Sequence, residues 1–373
     1  MPTLTTFNAN NFFLRYRFTS TYPGDLSRTS LVEASEVAGR GYLPGAAFGR
    51  YPPGSYIVWD VTRRQLAAAA LAEPDGRLPD ILCLQEVENI QAIRIVNERY
   101  LGNHYAHSLL IDAYDPRNID VGVLSTLPII SIRSHIDDVA AGDTRPFWNR
   151  DCLEIDFELP QGEVLTLFVN HLKSKLVIRN RNETDAQYRS RVRESHQKRL
   201  TQATEIASYV QERFQGRHNT ALYAVVGDFN DTPESPWLAP LMNSPRLTNI
   251  IAELRGPTDR WTYYWRNRSR VSQIDYVLTS RELTRRIRQV VQNDPARIPH
   301  IERAGLAFRN WSTAGEILPR EVTLVNFEPD IATPPVANAT PDAKIGFRFP
   351  RYEEVVNDWR ENVSDHCPVK VWF

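Results

Sequence analysis

Seven short apolar runs, each carrying polar residues at or near one end, constrain the fold of this chain most strongly. Their lengths and flanking turn residues are typical of buried strands. The runs are LTTFNANNF, DILCLQEV, DVGVLS, VLTLFVNHL, ALYAVVGDFN, SQIDYVLTS and CPVKVWF. Helical patterns lie between several of them, at residues 61–72, 90–100, 189–214 and 281–292. Strands that alternate with helices predict a layered α/β architecture.

The composition allows a large hydrophobic core. The chain has 373 residues, of which 42% are hydrophobic and 24% charged, so disordered and fibrous classes are excluded. No apolar run reaches the ~18 residues that a membrane span needs, and the amino end lacks a signal-peptide pattern, so we expect a cytoplasmic protein. Cys83, Cys152 and Cys367 lack metal-site spacing and are expected to be reduced. Nothing in the sequence indicates an obligate protein partner.

The overall charge balance does not indicate a protein that binds polyanions. The formal net charge is −1, so any affinity for nucleic acid must come from local patches. Only five of the 44 Lys and Arg residues are lysines, and two of these, Lys173 and Lys175, fall within the single motif NHLKSK. Point charges of this kind bind phosphate, and His171 lies in the same motif.

Two carboxylate motifs follow hydrophobic strands. Glu86 ends the run LCLQE, where it is either a metal ligand or a cap for the helix that follows. In GDFND, Gly227 is expected to allow a tight turn after the strand, so that Asp228 and Asn230 point at one centre. An acceptor beside a neutral donor suits a water and a phosphoryl oxygen, although an Asx turn has the same pattern.

A histidine and two aspartates form the second candidate group. SDHCP places Asp365 next to His366 just before the last strand, and SQIDY supplies Asp275. A carboxylate of this kind can fix the tautomer of an imidazole. Asp275 and His366 are therefore a candidate dyad.

The motifs FNANN, QEVEN, RNIDVGVLS, NHLKSK, GDFND, QIDY and SDHCPV together resemble the endonuclease/exonuclease/phosphatase superfamily. The resemblance implies a four-layer α/β sandwich, with two mixed β-sheets packed face to face and helices outside. It also implies a phosphodiester hydrolase that uses Mg²⁺, with Mn²⁺ as a substitute. We expect residues 1–373 to form one domain, with insertions at about 15–55 and 281–362. The second insertion is expected to form a wall of the substrate cleft, unless it covers a distant sheet edge or an oligomer contact.

The resemblance assigns a role to each motif residue. Asp228 would align or deprotonate the attacking water, Asn230 would bind a phosphoryl oxygen, and His366, oriented by Asp275, would stabilise the transition state together with His171. Asn10 stands where some members carry an acidic residue, which argues against a carboxylate-rich second metal site. The metal ligands would be Asn8, Glu86 and Asp365, and the substrate contacts Asn170, Lys173, Lys175, Arg117, Trp265 and Arg268.

Two basic stretches bear on the substrate. Residues 179–199 contain seven Lys and Arg against three Asp and Glu, and form either a phosphate-binding face or a solvated helix face. The stretch RWTYYWRNRSR interleaves aromatics with arginines, which suits base stacking but also an ordinary core strand. The leading expectation is a nuclease that acts on DNA, with RNA as the second choice of nucleic-acid substrate. The alternatives are a phosphatase or phospholipase acting on a small or lipid phosphoester (inositol phosphate or sphingomyelin type), and a binding module on an inactive catalytic fold.

Overall fold

The computed structural model describes residues 1–12, 16–18, 56–58, 67–72, 76–117, 119–139, 142, 144–257, 259–265, 270–303, 320–324, 344–348 and 364–373. The strands are β1 Thr3–Phe12, β2 Tyr16–Phe18, β3 Tyr56–Val58, β4 Ile81–Val87, β5 His107–Leu110, β6 Asp120–Ser125, β7 Ile129–Ser134, β8 Cys152–Glu158, β9 Val164–His171, β10 Leu222–Asp228, β11 Thr248–Asn249, β12 Tyr263–Trp265, β13 Arg270–Ser272, β14 Asp275–Thr279, β15 His300–Ile301, β16 Arg320–Leu324, β17 Lys344–Arg348 and β18 Val369–Trp372. The α-helices are α1 Ile90–Tyr100, α2 Asp185–Arg213, α3 Ala239–Met242, α4 Ile250–Leu254 and α5 Arg281–Asn293.

Two mixed six-stranded sheets form the body of the protein. Their strand orders are β15-β18-β1-β4-β6-β5 and β11-β14-β10-β9-β8-β7. Each sheet holds one parallel pair of strands, β1 with β4 and β9 with β10, and its other pairs are antiparallel. A further small sheet has the order β12-β13-β17-β16, and β2 pairs with β3.

Three hydrophobic clusters show how the layers are stacked. The central cluster joins Leu4 and Val121 of the first sheet to Leu167 and Val226 of the second, so these two sheets pack face to face. A second cluster packs α2 against the outer face of the second sheet, and a third packs α1 against the outer face of the first. Alternating side chains along each strand supply both faces. The four-layer α/β sandwich is therefore confirmed.

The predicted elements agree with the structure where the apolar pattern is strong. DVGVLS and residues 90–100 form β6 and α1 with the expected bounds. The helix predicted from residue 189 begins at Asp185, where a capping box between Thr184 and Gln187 starts α2. Strands β7 and β8 were not predicted. Part of the predicted helix 61–72 lies outside the described residues, and residues 67–71 are helical. No helix in the described ranges is long and apolar enough to cross a bilayer.

Parts of the predicted insertion 281–362 join the main body. Its first element is α5, and β15 extends the first sheet by pairing with β18. Strand β17 pairs with β13, close in sequence to the Asp275 motif. Most of the predicted insertion at 15–55, and residues 304–319, 325–343 and 349–363, lie outside the described residues. The cleft-wall role of the second insertion therefore stays a prediction.

Gly227 lies within β10 and forms no turn, which corrects the expectation from GDFND. Its φ is +128°, and a Cβ there would lie 1.9 Å from the backbone oxygen of Asn170 on the neighbouring strand β9. Only glycine allows the two parallel strands to approach so closely. The next pair in this register is Asp228 with His171, so the close approach brings two site residues side by side.

We expect Gly227→Ala to lower the free energy of unfolding by more than about 4 kcal/mol, because the new methyl group would overlap the β9 backbone. Gly256→Ala is the control, since nothing lies within 4 Å of its Cβ position. That change should stay within about 0.5 kcal/mol. Chemical denaturation of both variants checks this, and a Gly227→Ala protein of near-normal stability would contradict the close approach.

Candidate active site

The Asp228 carboxylate is the centre of the site and is only 1% exposed. Its Oδ2 accepts hydrogen bonds from Asn8 Nδ2 at 2.9 Å and from Asn230 Nδ2 at 3.1 Å. The backbone N–H of Asn230 donates to Oδ1 at 2.7 Å, so the Asx turn considered for GDFND is present and belongs to the site. Burial is the largest cause that raises the pKa of Asp228 to about 7.

The predicted dyad forms on one side of Asp228. His366 Nδ1 lies 3.0 and 3.1 Å from the two carboxylate oxygens of Asp275. The Thr262 hydroxyl donates to Asp275 Oδ2 at 2.7 Å, which fixes the carboxylate. The Ser364 hydroxyl accepts from the His366 backbone N–H at 3.0 Å and donates to the Asn8 carbonyl at 2.8 Å, which joins the dyad to β1.

A second histidine lies on the other side of Asp228. His171 Nε2 is 3.4 Å from Asp228 Oδ2, and the ring is 1% exposed. Arg150, also buried, approaches the same nitrogen with Nη1 at 3.2 Å and donates through Nη2 to the Leu172 carbonyl at 2.9 Å. A guanidinium only donates, so Nε2 accepts and the neutral ring carries its proton on Nδ1.

The two histidines therefore differ in protonation. Burial alone would favour a neutral His366, but the carboxylates of Asp275 and Asp228 outweigh it and raise its pKa well above the ordinary value. Burial, with the charge of Arg150 next in size, lowers the pKa of His171 well below the ordinary value. Because their environments separate the two pKa values in this way, His366 can act as an acid while His171 stays neutral within the same site.

Backbone strain concentrates at the same centre. Among the described residues, the non-glycine residues with positive φ include Asn10 at +48°, Glu86 at +60° and Asn230 at +56°. Glu86 is the extra residue of a bulge, because Gln85 and Val87 pair with the consecutive residues Val121 and Asp120 of β6. Strain of this kind is retained mainly at functional sites. The alternative role for Glu86, a helix cap, is wrong, because Asn89 caps α1.

A carboxylate oxygen of Glu86 lies near the two buried groups His171 and Asp228. Glu86 Oε1 lies 3.7 Å and Asp228 Oδ2 3.4 Å from the acceptor nitrogen of His171. Arg150 already donates to His171 Nε2, and Asn8 and Asn230 donate to Asp228 Oδ2, so the Glu86 carboxylate is the oxygen ligand that this group offers to Mg²⁺. Asp228, Asp275 and His366 also offer ligand atoms within 4.8 Å of one another, but the His366–Asp275 hydrogen bond already uses two of these groups.

Asn10 and Asp365 complete the rim of the site. Asn10 Nδ2 donates to Asp365 Oδ1 at 2.9 Å, and the same Asp365 oxygen is 3.9 Å from His366 Nε2. The side chain of Asp365 is 38% exposed and that of Glu86 is 15% exposed, so both carboxylates reach the cleft. Asn8 uses both ends of its amide within the protein, since Oδ1 accepts from the Asn10 backbone N–H at 2.9 Å.

A comparison with protein-family models matches residues 6–366 to the endonuclease/exonuclease/phosphatase family. The chain belongs to this family. Its members are phosphodiester hydrolases that depend on a divalent metal. The resemblance drawn from the motifs is thereby confirmed. A comparison with curated proteins finds no match.

Solved structures resemble this chain at low sequence identity. SmcL has a TM-score of 0.49 and 12% identity, with 99% of this chain and 97% of that chain covered. Sphingomyelinase C from Streptomyces griseocarneus has a TM-score of 0.44 and 12% identity, with 99% of this chain and 98% of that chain covered. Truncated TDP2 from Caenorhabditis elegans has a TM-score of 0.43 and 14% identity, with 75% of this chain and 84% of that chain covered. We take no substrate from these proteins.

The predicted substrate contacts differ in their placement. Asn170 is fully buried and donates to the Phe168 carbonyl at 2.9 Å, so the structure does not bring it to the cleft, which corrects that expectation. Lys175 pairs with the buried Asp231. Arg117 is 53% exposed and lies 3.2 Å from Asp115. Trp265 is exposed and Lys173 half-buried, whereas Arg268 lies outside the described residues.

Two residues beyond the predicted site residues touch the histidines of the site, and one of them, Tyr263, belongs to the aromatic stretch RWTYYWRNRSR. Arg150 contacts His171, and its only signal was a charged pair, Arg150–Asp151, amid apolar neighbours. The Tyr263 ring lies 4.9 Å from the His366 ring, centroid to centroid. Burial and the carboxylates of the site, Asp365 foremost, raise the pKa of Tyr263 above its usual range, so the phenol stays protonated. Tyr263 alternates with the buried Tyr264, so this aromatic stretch supplies both the site and the core.

We expect kcat/KM to fall about tenfold per pH unit below about pH 7, because only ionised Asp228 accepts a proton and its pKa is about 7. The Asp275 charge raises the pKa values of Asp228 and His366, which set the acidic and the alkaline limb of the plot of kcat/KM against pH. Asp275→Asn should therefore move both limbs to lower pH. Rates measured between pH 5.5 and 9.5 check this. Glu253→Gln, at a surface pair with Arg288, is the control. Unmoved limbs in Asp275→Asn would refute the assignment.

Proposed function

We propose that the protein is a Mg²⁺-dependent nuclease that cleaves phosphodiester bonds of DNA, or of RNA, by attack of water at phosphorus. The observation that carries this proposal is the buried Asp228 carboxylate between a charged His366 and a neutral His171. This arrangement supplies Asp228 as a base and His366 as an acid, with the neutral His171 beside them.

The side chains divide the reaction between them. Asp228 accepts the proton of the attacking water, while Asn230, whose amide nitrogen donates to Asp228 and to the Leu172 carbonyl, holds that carboxylate in place. His366, oriented by Asp275, donates a hydrogen bond to a non-bridging oxygen as negative charge develops there. Arg150, which donates to His171 Nε2, adds positive charge on the opposite side. Loss of one such donor costs about 2.7–4 kcal/mol of barrier.

Glu86 and Asp365 are the residues that would hold Mg²⁺, because both carboxylates reach the cleft. The ion would neutralise the non-bridging oxygens of the substrate, and Mn²⁺ would substitute for it. Asn8, predicted as a ligand, supports the site by holding Asp228 through its amide.

Exposed aromatic surface beside the dyad supports a nucleic-acid substrate. Trp265 is 43% exposed and lies on β12, two residues after Tyr263, which contacts the His366 ring. Aromatic side chains at this position can stack on bases on either side of the cleaved phosphate. Arg117 adds a half-exposed positive charge on the His171 side.

A second candidate, a lipid phosphoester hydrolase, is favoured by one feature. Leu176 and Ile178 are 71% and 73% exposed and follow the NHLKSK motif directly. Exposed aliphatic side chains next to lysines suit a lipid–water interface. A small soluble phosphoester is the remaining possibility within the same chemistry.

We expect EDTA to abolish hydrolysis and Mg²⁺ or Mn²⁺ to restore it. Glu86→Gln should weaken Mn²⁺ binding by at least about tenfold in isothermal titration calorimetry, because a charged oxygen ligand is lost. Glu158→Gln, an exposed carboxylate at the end of β8, is the control. Full activity after exhaustive chelation would contradict the metal requirement.

The substrate is tested by rates on plasmid, single-stranded DNA, RNA, inositol phosphates, sphingomyelin vesicles and bis(p-nitrophenyl) phosphate. For a nuclease, kcat/KM on DNA should fall at least about tenfold between 50 and 200 mM salt, whereas the rate on the small diester should change little. A preference for vesicles that is lost in Leu176→Ser/Ile178→Ser would favour the lipid candidate instead. Preference for inositol phosphates would also overturn the nuclease proposal.

A further inference from the structure

Two half-buried lysines near the site have no partner within the described part of the chain. No hydrogen bond or ion pair engages the amine of Lys173 or that of Lys198. By contrast, Lys175 pairs with Asp231, and Lys370 donates to the Ala72 carbonyl at 2.8 Å. A partly buried ammonium group that no acceptor contacts is unfavourable, so an anion bound at these lysines would stabilise the protein.

The backbone of the NHLKSK motif joins these lysines to the site. The Lys173 N–H donates to Gln202 Oε1 at 2.9 Å, and its carbonyl accepts from Arg199 Nη1 at 2.6 Å. Arg199 and Gln202 belong to the same stretch of α2 as Lys198. Arg150 binds the carbonyl of Leu172, the residue before Lys173. The end of β9, α2 and the segment before β8 therefore meet at this point.

Four positive charges gather there around one carboxylate. Burial is the largest cause that lowers the pKa of Lys173, followed by the charges of Arg150, Lys198 and Arg117. Burial and Arg150 likewise lower the pKa of Lys198. Asp115 is the negative group among them, at 3.2 Å from Arg117 Nε and 3.8 Å from Arg150 Nη1. We call Arg117, Arg150, Lys173 and Lys198 the cationic patch.

The cationic patch begins at the reaction centre, because Arg150 Nη1 is 3.2 Å from His171 Nε2. It extends on the His171 side of Asp228, whereas Tyr263 lies on the His366 side. Arg150 is buried, so it acts on the site through its contact with His171. Lys173 lies at the start of the loop after β9, two residues after His171, and Lys198 lies on α2.

We infer that Lys173 and Lys198 bind a second phosphate group of the substrate, next to the one that is cleaved. In a nucleic acid this is the neighbouring phosphate of the same strand, on the side of the cleft formed by His171. The inference rests on the proposed function and narrows its substrate class to phosphoesters that carry a flanking phosphate.

A substrate-side substitution tests the subsite directly. The substrates are an oligonucleotide with one defined cleavage position and two versions in which a neutral methylphosphonate replaces the flanking phosphate on either side. In the wild type, one replacement should lower kcat/KM by about tenfold, the loss of one charged contact. In Lys198→Gln the unmodified oligonucleotide should already show this loss, and the same replacement should add little to it.

The controls separate contact with substrate from a structural role. Arg94→Gln removes the same charge from an exposed position on α1 and should leave all rates unchanged. The unfolding temperature of Lys198→Gln should equal or exceed that of the wild type, because a half-buried charge is removed. A lower unfolding temperature of Lys198→Gln would overturn the subsite. So would independent effects, in which the loss of kcat/KM from Lys198→Gln and the loss from the methylphosphonate combine in full when both are present.

Failure of the subsite is distinguishable from failure of the proposed function. If the oligonucleotide is cleaved but Lys198→Gln and Arg94→Gln behave alike, the subsite is wrong and the nuclease stands. If neither the oligonucleotide nor bis(p-nitrophenyl) phosphate is cleaved, the nuclease proposal fails. Calorimetric titration with tripolyphosphate in EDTA then decides the subsite without turnover: the Kd should rise about tenfold in Lys198→Gln, and an equal Kd would reject it.

Discussion

The burial of the Asp228 carboxylate is the constraint on which the rest of the site depends. A carboxylate that is 1% exposed is tolerated only where donors and cations surround it. Here the surrounding groups come from separate parts of the fold: the donors Asn8 from β1 and Asn230 from the turn after β10, the charged His366 from the segment before β18, and His171, which accepts from Arg150, from β9. The two sheets must therefore meet at one edge before Asp228 is satisfied, so fold and site are stabilised by the same contacts.

This constraint also makes the cleft asymmetric. On one side, Asp275 and Asp228 hold His366 as an imidazolium, and the aromatic side chains of β12 lie next to it. On the other side, burial and the charge of Arg150 keep His171 neutral, and Arg150 begins the cationic patch. A phosphodiester bound between them would meet aromatic surface in one direction and positive charge in the other. This asymmetry is what a base and a neighbouring phosphate require, which is why we favour a nucleic acid.

The sequence predicts the layered fold and the motif residues because both depend on local pattern. Apolar runs specify strands such as β6, and Glu86, Asp228, Asp275 and His366 lie in short motifs at strand ends. It does not predict Arg150, and it offers Lys198 only as one residue of the basic stretch 179–199, because the roles proposed for both depend on contacts between distant parts of the chain. Arg150 meets His171, 21 residues away, and Lys198 approaches the site only when α2 packs on Lys173. The sequence also suggests a turn at Gly227, where the need for glycine comes from the neighbouring strand. A net charge of −1 likewise hides the local excess of positive charge.

The central claim is that one buried carboxylate separates a charged histidine from a neutral one. The most direct measurement is ¹⁵N NMR of histidine-labelled protein, with His366→Ala and His171→Ala used to assign the two rings. The account predicts that His366 keeps both ring nitrogens protonated from pH 6 to 8.5. It also predicts that His171 stays neutral over that range, with its proton on Nδ1. Two rings that titrate together near pH 6.5 would contradict it.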